Sequence, residues 1–209
     1  SCNIGTASQV ACALDRPVCD TKFRTNTFCH TGSGLWEIQG SSLTGGVALK
    51  WLRDNMLHMS DFGEMTDLAG TAPAGSDGLL FLPYLSGERC PYNDPKARGI
   101  YFGMSLYHSR EHFIRSTMEG VIFGLKESLE IFKGMGIRFD KVIASGGGAR
   151  GQLFREIQAD VFEAEIHTAG EAEQACVGAA MTAAVGCGSF SSYEEACGAL
   201  LHPGTEVTV

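Results

Sequence analysis

The sequence predicts an α/β domain, with a mixed sheet flanked by helices that is antiparallel at its start and parallel later. Two observations carry that class. Short apolar stretches broken by Gly, Pro, Asp and Asn fill about the first forty residues, and alternating strand and helix patterns fill the last third. A third bounds the size: 209 residues, 44% of them hydrophobic, can bury one sizeable core without metals or disulfides.

Residues 9–14, 27–30 and 35–38 read as three strands of a meander, each bounded by turn formers. Residues 43–56 set Leu43, Val47, Leu49, Trp51, Leu52 and Met56 near helical spacing, and 61–68 add a shorter helix. The apolar run 78–85 predicts a buried strand, and a polar loop over 86–99 follows it with Asn93-Asp94-Pro95. The longest helix is expected over 109–135. Ser109 should cap it, with Phe113, Met118, Ile122, Leu125, Leu129 and Phe132 turned to the core. Strand 141–144, helix 152–162, strand 164–168 and helices 173–186 and 193–201 complete the order, and 205–209 reads as a strand-like tail.

Composition excludes several functions. The net charge of −8 is spread along the chain, and no Lys/Arg run exists to neutralise a phosphate backbone, so nucleic acid is not expected as a partner. The eight cysteines form no CxxC pair and several lie in apolar runs, which predicts reduced, mostly buried thiols of a cytoplasmic protein. No apolar stretch reaches the ~18 residues needed to span a bilayer, and the start lacks a signal-peptide layout. The chain starts at Ser1 without methionine and stops in the strand-like tail, so both ends read as cut edges of a longer protein.

Three glycine sites could carry chemistry. The strongest is Val142-Ile143-Ala144-Ser145-Gly146-Gly147-Gly148-Ala149-Arg150-Gly151, a buried-strand pattern that runs into glycines and then an amphipathic helix. Glycines let a ligand approach the backbone, and the helix start offers unpaired N–H groups to anionic atoms. The same stretch could be only a tight strand-to-helix turn. It also fits a dinucleotide fingerprint, with Gly146, Gly148 and Gly151 as its glycines and Glu165 near the distance of a ribose-binding acid. The second site, Ile4-Gly5-Thr6-Ala7-Ser8, could hold phosphate oxygens or simply turn a hairpin. Gly45-Gly46, the third, opens the helix that carries Lys50 and Trp51.

As a set, these residues resemble a family. Gly99-Ile100-Tyr101-Phe102-Gly103-Met104, seven residues, then His112-Phe113-Ile114-Arg115-Ser116-Thr117-Met118-Glu119 is similar to the second signature of the FGGY carbohydrate kinases at each constrained position. Leu82-Pro83-Tyr84-Leu85-Ser86-Gly87-Glu88-Arg89 with Asn93-Asp94-Pro95, and Thr27-Phe28-Cys29-His30 with Trp36, resemble the xylulokinase branch. The resemblance implies a ribonuclease H-like fold, as in actin and hexokinase, with residues 1–209 as the ATP-binding C-terminal lobe of a two-lobed kinase. It further implies ATP and Mg²⁺, a small sugar bound through an N-terminal lobe outside these residues, and closure of the lobes. A homodimer stays open.

Residue by residue, the resemblance places Gly5 and Thr6 on the β- and γ-phosphates, Gly46 and Lys50 near the nucleoside, and Gly146, Gly147, Gly148 and Gly151 in the adenosine motif. Ala7 stands where the family has serine, and Gly151 where it has serine or asparagine. The family's proton-accepting aspartate precedes the phosphate turn and is expected upstream of Ser1; Asp15 and Asp20, on the following hairpin, are no substitutes. The isolated chain is therefore expected to be inert.

The remaining polar residues read as structural. Glu88 and Arg89 are expected to brace their loop through ion pairs, His112 and Glu119 to serve the long helix, and His30 to be hydrogen-bonded at a strand end. Apart from a kinase of xylulose, ribulose, gluconate or glycerol, two other classes remain open: a dinucleotide-binding oxidoreductase domain resting on the glycine fingerprint, and a non-catalytic actin-like sensor or interaction module.

Overall fold

The computed structural model describes residues 1–170 and 174–207. In chain order they form β1 (Cys2–Ile4), β2 (Ser8–Leu14), β3 (Asn26–Cys29), β4 (Trp36–Ser42), α1 (Gly46–Trp51), α2 (Phe62–Ala69), β5 (Leu80–Leu82), β6 (Ile100–Phe102) and α3 (Arg110–Gly134). Then come β7 (Lys141–Gly146), α4 (Gln152–Phe162), β8 (Glu165–Ala169), α5 (Gln174–Gly186), α6 (Tyr193–Leu200) and β9 (Pro203–Val207).

Seven strands form the main sheet in the order β3-β4-β2-β1-β7-β8-β9. β1 to β4 pair antiparallel, β1 with β7 and β7 with β8 pair parallel, and β9 returns antiparallel to β8. The expected change from antiparallel to parallel thus falls at β1, a three-residue strand that the meander reading missed because it is so short. The expected helix start at Glu173, and Thr208 and Val209 of the tail, lie outside the described residues.

α3 carries the core. Met118, Ile122, Leu125, Leu129 and Phe132 recur at helical spacing, all buried in one cluster with Ile4, Val10 and Ile38 of the sheet. At roughly 1.5–3 kcal/mol for each fully buried large apolar side chain, this face outweighs any propensity term in holding the helix. Phe113 is only half-buried, and its ring packs edge-on against Tyr101 of β6, with centroids 5.0 Å apart, instead of joining the core cluster. Ser109 caps the helix as expected, and the His112 ring joins it: Nδ1 accepts from the Ser109 N–H at 3.2 Å, which leaves the proton on Nε2 to face Asp77. Glu119 accepts from Arg115, the Gly75 N–H and the Ser76 hydroxyl, tying the preceding loop to the helix.

Several boundaries differ from the sequence reading, each for a local reason. The strand expected over 35–38 continues to Ser42, so the helix expected from Leu43 begins only at Gly46. It changes to a π-helical turn over Leu52–Leu57 and ends at His58, whose φ of 51° is left-handed. The run 78–85 is not a buried strand. Its only strand, β5, pairs with β6 in a separate ribbon, with Phe81 facing α3 and Leu80 and Leu82 exposed. Nor are the thiols mostly buried. All eight are free, but only Cys2 and Cys90 are buried, and Cys176 and Cys187 are exposed where α5 packs on α6 and buries little besides Met181. No helix among the described residues is long and apolar enough to cross a membrane.

Candidate functional site

Ile4, the last residue of β1, pairs with Ser8 on one side and Gly146 on the other. The β1–β2 turn and the turn after β7 therefore leave the sheet at the same end, side by side. Gly146 sits at φ +74°, and a Cβ there would stand 2.6 Å from the Ile4 carbonyl oxygen. A side chain is excluded on both counts. A Cβ on Gly148 would meet the Ile4 side chain at 2.7 Å, so that glycine is a packing requirement. Gly5 and Gly147 differ, since an added Cβ at either would meet nothing nearer than 3.6 Å. Space beside their Cα atoms is what a ligand could approach, since the Gly5 N–H itself is held by the Ala7 carbonyl at 3.0 Å.

The third glycine site joins these two. The N–H groups of Gly46 and Gly45 donate to the carbonyls of Gly5 at 2.7 Å and Thr6 at 3.0 Å, and Val47 adds a bond to Thr6 at 3.2 Å. The hairpin thus caps α1, and the Gly46 N–H is committed to it. Gly5, Thr6, Gly46, Gly146, Gly147 and Gly148 accordingly converge on the end of β1. Gly151 lies farther along, as the cap of α4, with space for a Cβ between Phe154 and Thr66 of α2. Lys50 projects from the exposed face of α1 and makes no hydrogen bond or ion pair with any of them.

Two residues of α4 hold the glycine turn from behind, and sequence reasoning missed both. The Arg155 guanidinium donates to the carbonyls of Ala149 at 2.7 Å and Arg150 at 3.2 Å, and the buried Gln158 amide donates to Gly148 at 3.1 Å. With its carbonyls occupied, the turn can present N–H groups outward. No side chain caps the N-terminus of α4.

Beside the hairpin opens a cleft of about 350 Å³, lined by Asn3, Gly5, Thr6, Ser41, Ser42 and Arg89 among others. Asn3 is a further residue that no motif indicated: its Oδ1 lies 3.6 Å and 3.3 Å from where Cβ atoms of Gly5 and Gly146 would stand, between the two turns. No carboxylate lines this cleft. Burial pushes the neighbouring Cys2 thiol up to about 12, which removes it as a nucleophile. The arrangement can bind anionic oxygen through backbone, hydroxyl, amide and guanidinium donors, and it contains no group to accept a proton.

Glu88 and Arg89 depart from expectation. Glu88 does brace its loop, but not by an ion pair: its buried carboxylate accepts from the Ser42 hydroxyl at 2.7 Å, the Leu43 N–H at 3.0 Å and the Arg89 N–H at 2.7 Å. Arg89 is exposed at the cleft. His30 accepts from the Gly32 N–H at the opposite end of the sheet.

The dinucleotide reading fails on register. Glu165 begins β8 opposite Lys141, the first residue of β7, at the end of the sheet away from the glycine turn, and it is engaged with His167 and Lys141. A ribose-binding acid belongs at the other end of that strand.

Comparison with known proteins gives a consistent picture. The model of the C-terminal domain of the FGGY family of carbohydrate kinases matches residues 1–187. A xylulose kinase of Bacillus subtilis is 34% identical over 93% of this chain, and a gluconokinase of the same organism is 34% identical over 91%; the chain spans 39% of each. A gluconate kinase structure from Lactobacillus acidophilus superposes with a TM-score of 0.87 at 27% identity, covering 99% of this chain and 42% of that one. The chain thus spans about two fifths of the length of the relatives it matches.

Proposed function

This chain belongs to the FGGY family of carbohydrate kinases, and on that premise we propose that it is the nucleotide-binding lobe of a two-lobed enzyme that phosphorylates a sugar with ATP, D-xylulose being converted to D-xylulose 5-phosphate. The observation that carries the reading is the convergence of three glycine segments on the end of β1, beside a cleft rich in donors and free of carboxylates. Triphosphate oxygens need such donors, and phosphoryl transfer asks little else of this side of a site than position and charge.

Within this reading Gly5 and Thr6 hold the β- and γ-phosphates, the hydroxyl of Thr6 adding a donor that Ala7 cannot. Gly146, Gly147 and Gly148 shape the surface that receives adenosine, and Gly151 opens the space beside Thr66 for it. Gly46, packed on the Gly5 carbonyl where a Cβ would stand 2.8 Å from its oxygen, sets the start of α1 beside the nucleoside, and Lys50 supplies charge toward it. The lining offers Mg²⁺ no carboxylate, and the described residues contain no metal-binding group of three. The ion, when bound, offsets charge on the phosphates; its protein ligands, the proton acceptor and the sugar pocket are assigned to residues beyond these 209. The similarity to gluconokinases at equal identity sustains gluconate as a second acceptor.

The experiment is thermal unfolding of this chain with ATP, AMP-PNP, ADP or NADH, together with an ADP-release assay on D-xylulose. A ligand that binds only the folded state raises Tm by mass action. ATP, AMP-PNP and ADP are expected to raise Tm and NADH to leave it unchanged, with ADP release at background. Stabilisation by NADH above that by ATP overturns the nucleotide assignment, and turnover by these residues alone overturns the division of labour.

A further inference from the structure

Arg89 lines the cleft with a charge that nothing among the described residues neutralises. Its guanidinium has no hydrogen-bond or ion-pair partner among the described residues, while its backbone is fixed on both sides. Glu88 accepts the Arg89 N–H, the Cys90 N–H donates to the Ser41 carbonyl at 3.0 Å, and the Asn93 N–H returns to the Arg89 carbonyl at 2.6 Å. Gly87, at φ +84° and packed on the Pro95 backbone, closes the loop at its base. The buried Glu88 carboxylate, with three donors and no cation, is spent on holding this segment against the end of β4. A loop stitched this firmly presents Arg89 at one place.

That place follows from strand order. Along the sheet edge the turn after β7 comes first, then the β1–β2 hairpin, then the end of β4 with Arg89. At ~4.8 Å between neighbouring strands, β7 to β4 spans about 14 Å, the reach of an extended triphosphate with its ribose. A nucleotide with its nucleoside at the Gly146 to Gly151 turn and its phosphates at Gly5 and Thr6 therefore points its terminal phosphate toward β4. Resting on the nucleotide-lobe reading, we infer that Arg89 binds the γ-phosphoryl oxygens of the nucleoside triphosphate, a charge supplied within the chain to the group being transferred. A planar fork of N–H donors suits phosphate oxygens, and an exposed arginine with no carboxylate partner keeps all its donors for them.

The test is isothermal titration of AMP-PNP and of ADP into the 209-residue chain, its Arg89→Gln variant and its Arg89→Lys variant, with circular dichroism to check that each is folded. Loss of a charge-assisted bond predicts AMP-PNP binding weakened about 10-fold in Arg89→Gln, ADP binding unchanged within about twofold, and partial recovery in Arg89→Lys. Equal weakening of both nucleotides places the guanidinium elsewhere and overturns the inference. So does AMP-PNP binding that is unchanged in Arg89→Gln. If the unaltered chain binds neither nucleotide, the nucleotide-lobe reading fails and this inference falls with it, an outcome distinct from the other two.

Discussion

Gly146 is the residue at which the two turns of the candidate site depend on each other. Its positive φ and its approach to the Ile4 carbonyl act together, and the obstructing atom is backbone, fixed by the β1–β7 pairing. A methyl group there strains the turn or separates the strands, at about 1–3 kcal/mol for the conformation and more for the contact. Gly146→Ala is expected to lower the unfolding free energy by about 2–4 kcal/mol in urea titration. Gly147→Ala, with only the Ile4 oxygen at 3.7 Å, should change it by under about 1 kcal/mol. Equal losses would show that the glycines serve flexibility instead of this contact. The glycine pattern was legible in the sequence because three consecutive glycines exceed the needs of a turn. Which of them packs and which stays open was not, since that depends on Ile4, more than 140 positions away. Arg89 was misread for a related reason: the carboxylate that fixes it belongs to its own neighbour, and two partners of that carboxylate, Ser42 and Leu43, lie at and just past the end of β4.

Among the elements, α3 was the most legible and the β5–β6 ribbon the least. α3 has a long, strongly periodic apolar face and a capped start, and both are local patterns that can be read without knowing the partner elements. β5 has three residues whose apolar character indicated burial, yet only Phe81 is covered, because the ribbon sits on α3 and not in the sheet. The contact that seats it is backbone on backbone: a Cβ on Gly120 would fall on the Phe81 carbonyl oxygen. Gly120→Ala sets two effects against each other. Alanine gains about 1 kcal/mol of helix propensity, while the blocked approach costs the packing of Phe81 and Tyr101 against the helix, worth more than that. The variant is expected to be destabilised by about 1–3 kcal/mol in urea. A more stable Gly120→Ala protein would mean that the ribbon is seated some other way. β1 illustrates the limit of pattern reading, since three residues carry almost no periodicity although the whole topology turns on them.

At the scale of the whole molecule, carboxylates held below their ordinary range set the response to acid. Asp20, bonded to Arg24, is the furthest displaced, and its side chain is buried. Glu163 beside Lys126, Glu165 beside His167 and Lys141, Glu111 beside the Ser109 hydroxyl and Glu195 beside Ser191 shift the same way at half-buried to exposed surface positions, where solvent screens much of the effect. For a depressed carboxylate the unfolded chain takes up protons first. Stability is then full above about pH 5 and is lost as pH falls through the unfolded values near 4 toward the folded ones. Net charge opposes this at first, because protonation relieves the −8 carried at neutral pH. That relief is weak in 0.15 M salt, where the Debye length is about 8 Å. It reverses once the 24 acidic groups titrate against 16 Lys and Arg and the chain turns positive. Urea midpoints at pH 7, 5, 4 and 3 in 0.15 M salt should therefore hold between 7 and 5 and fall steadily below. Asp20→Asn should start lower at pH 7 and lose less between pH 5 and 3, since it removes the largest of these linked protonations. A midpoint that rises toward pH 3, or an Asp20→Asn curve parallel to that of the unaltered chain, would mean that net charge and not the Asp20–Arg24 pair governs acid stability.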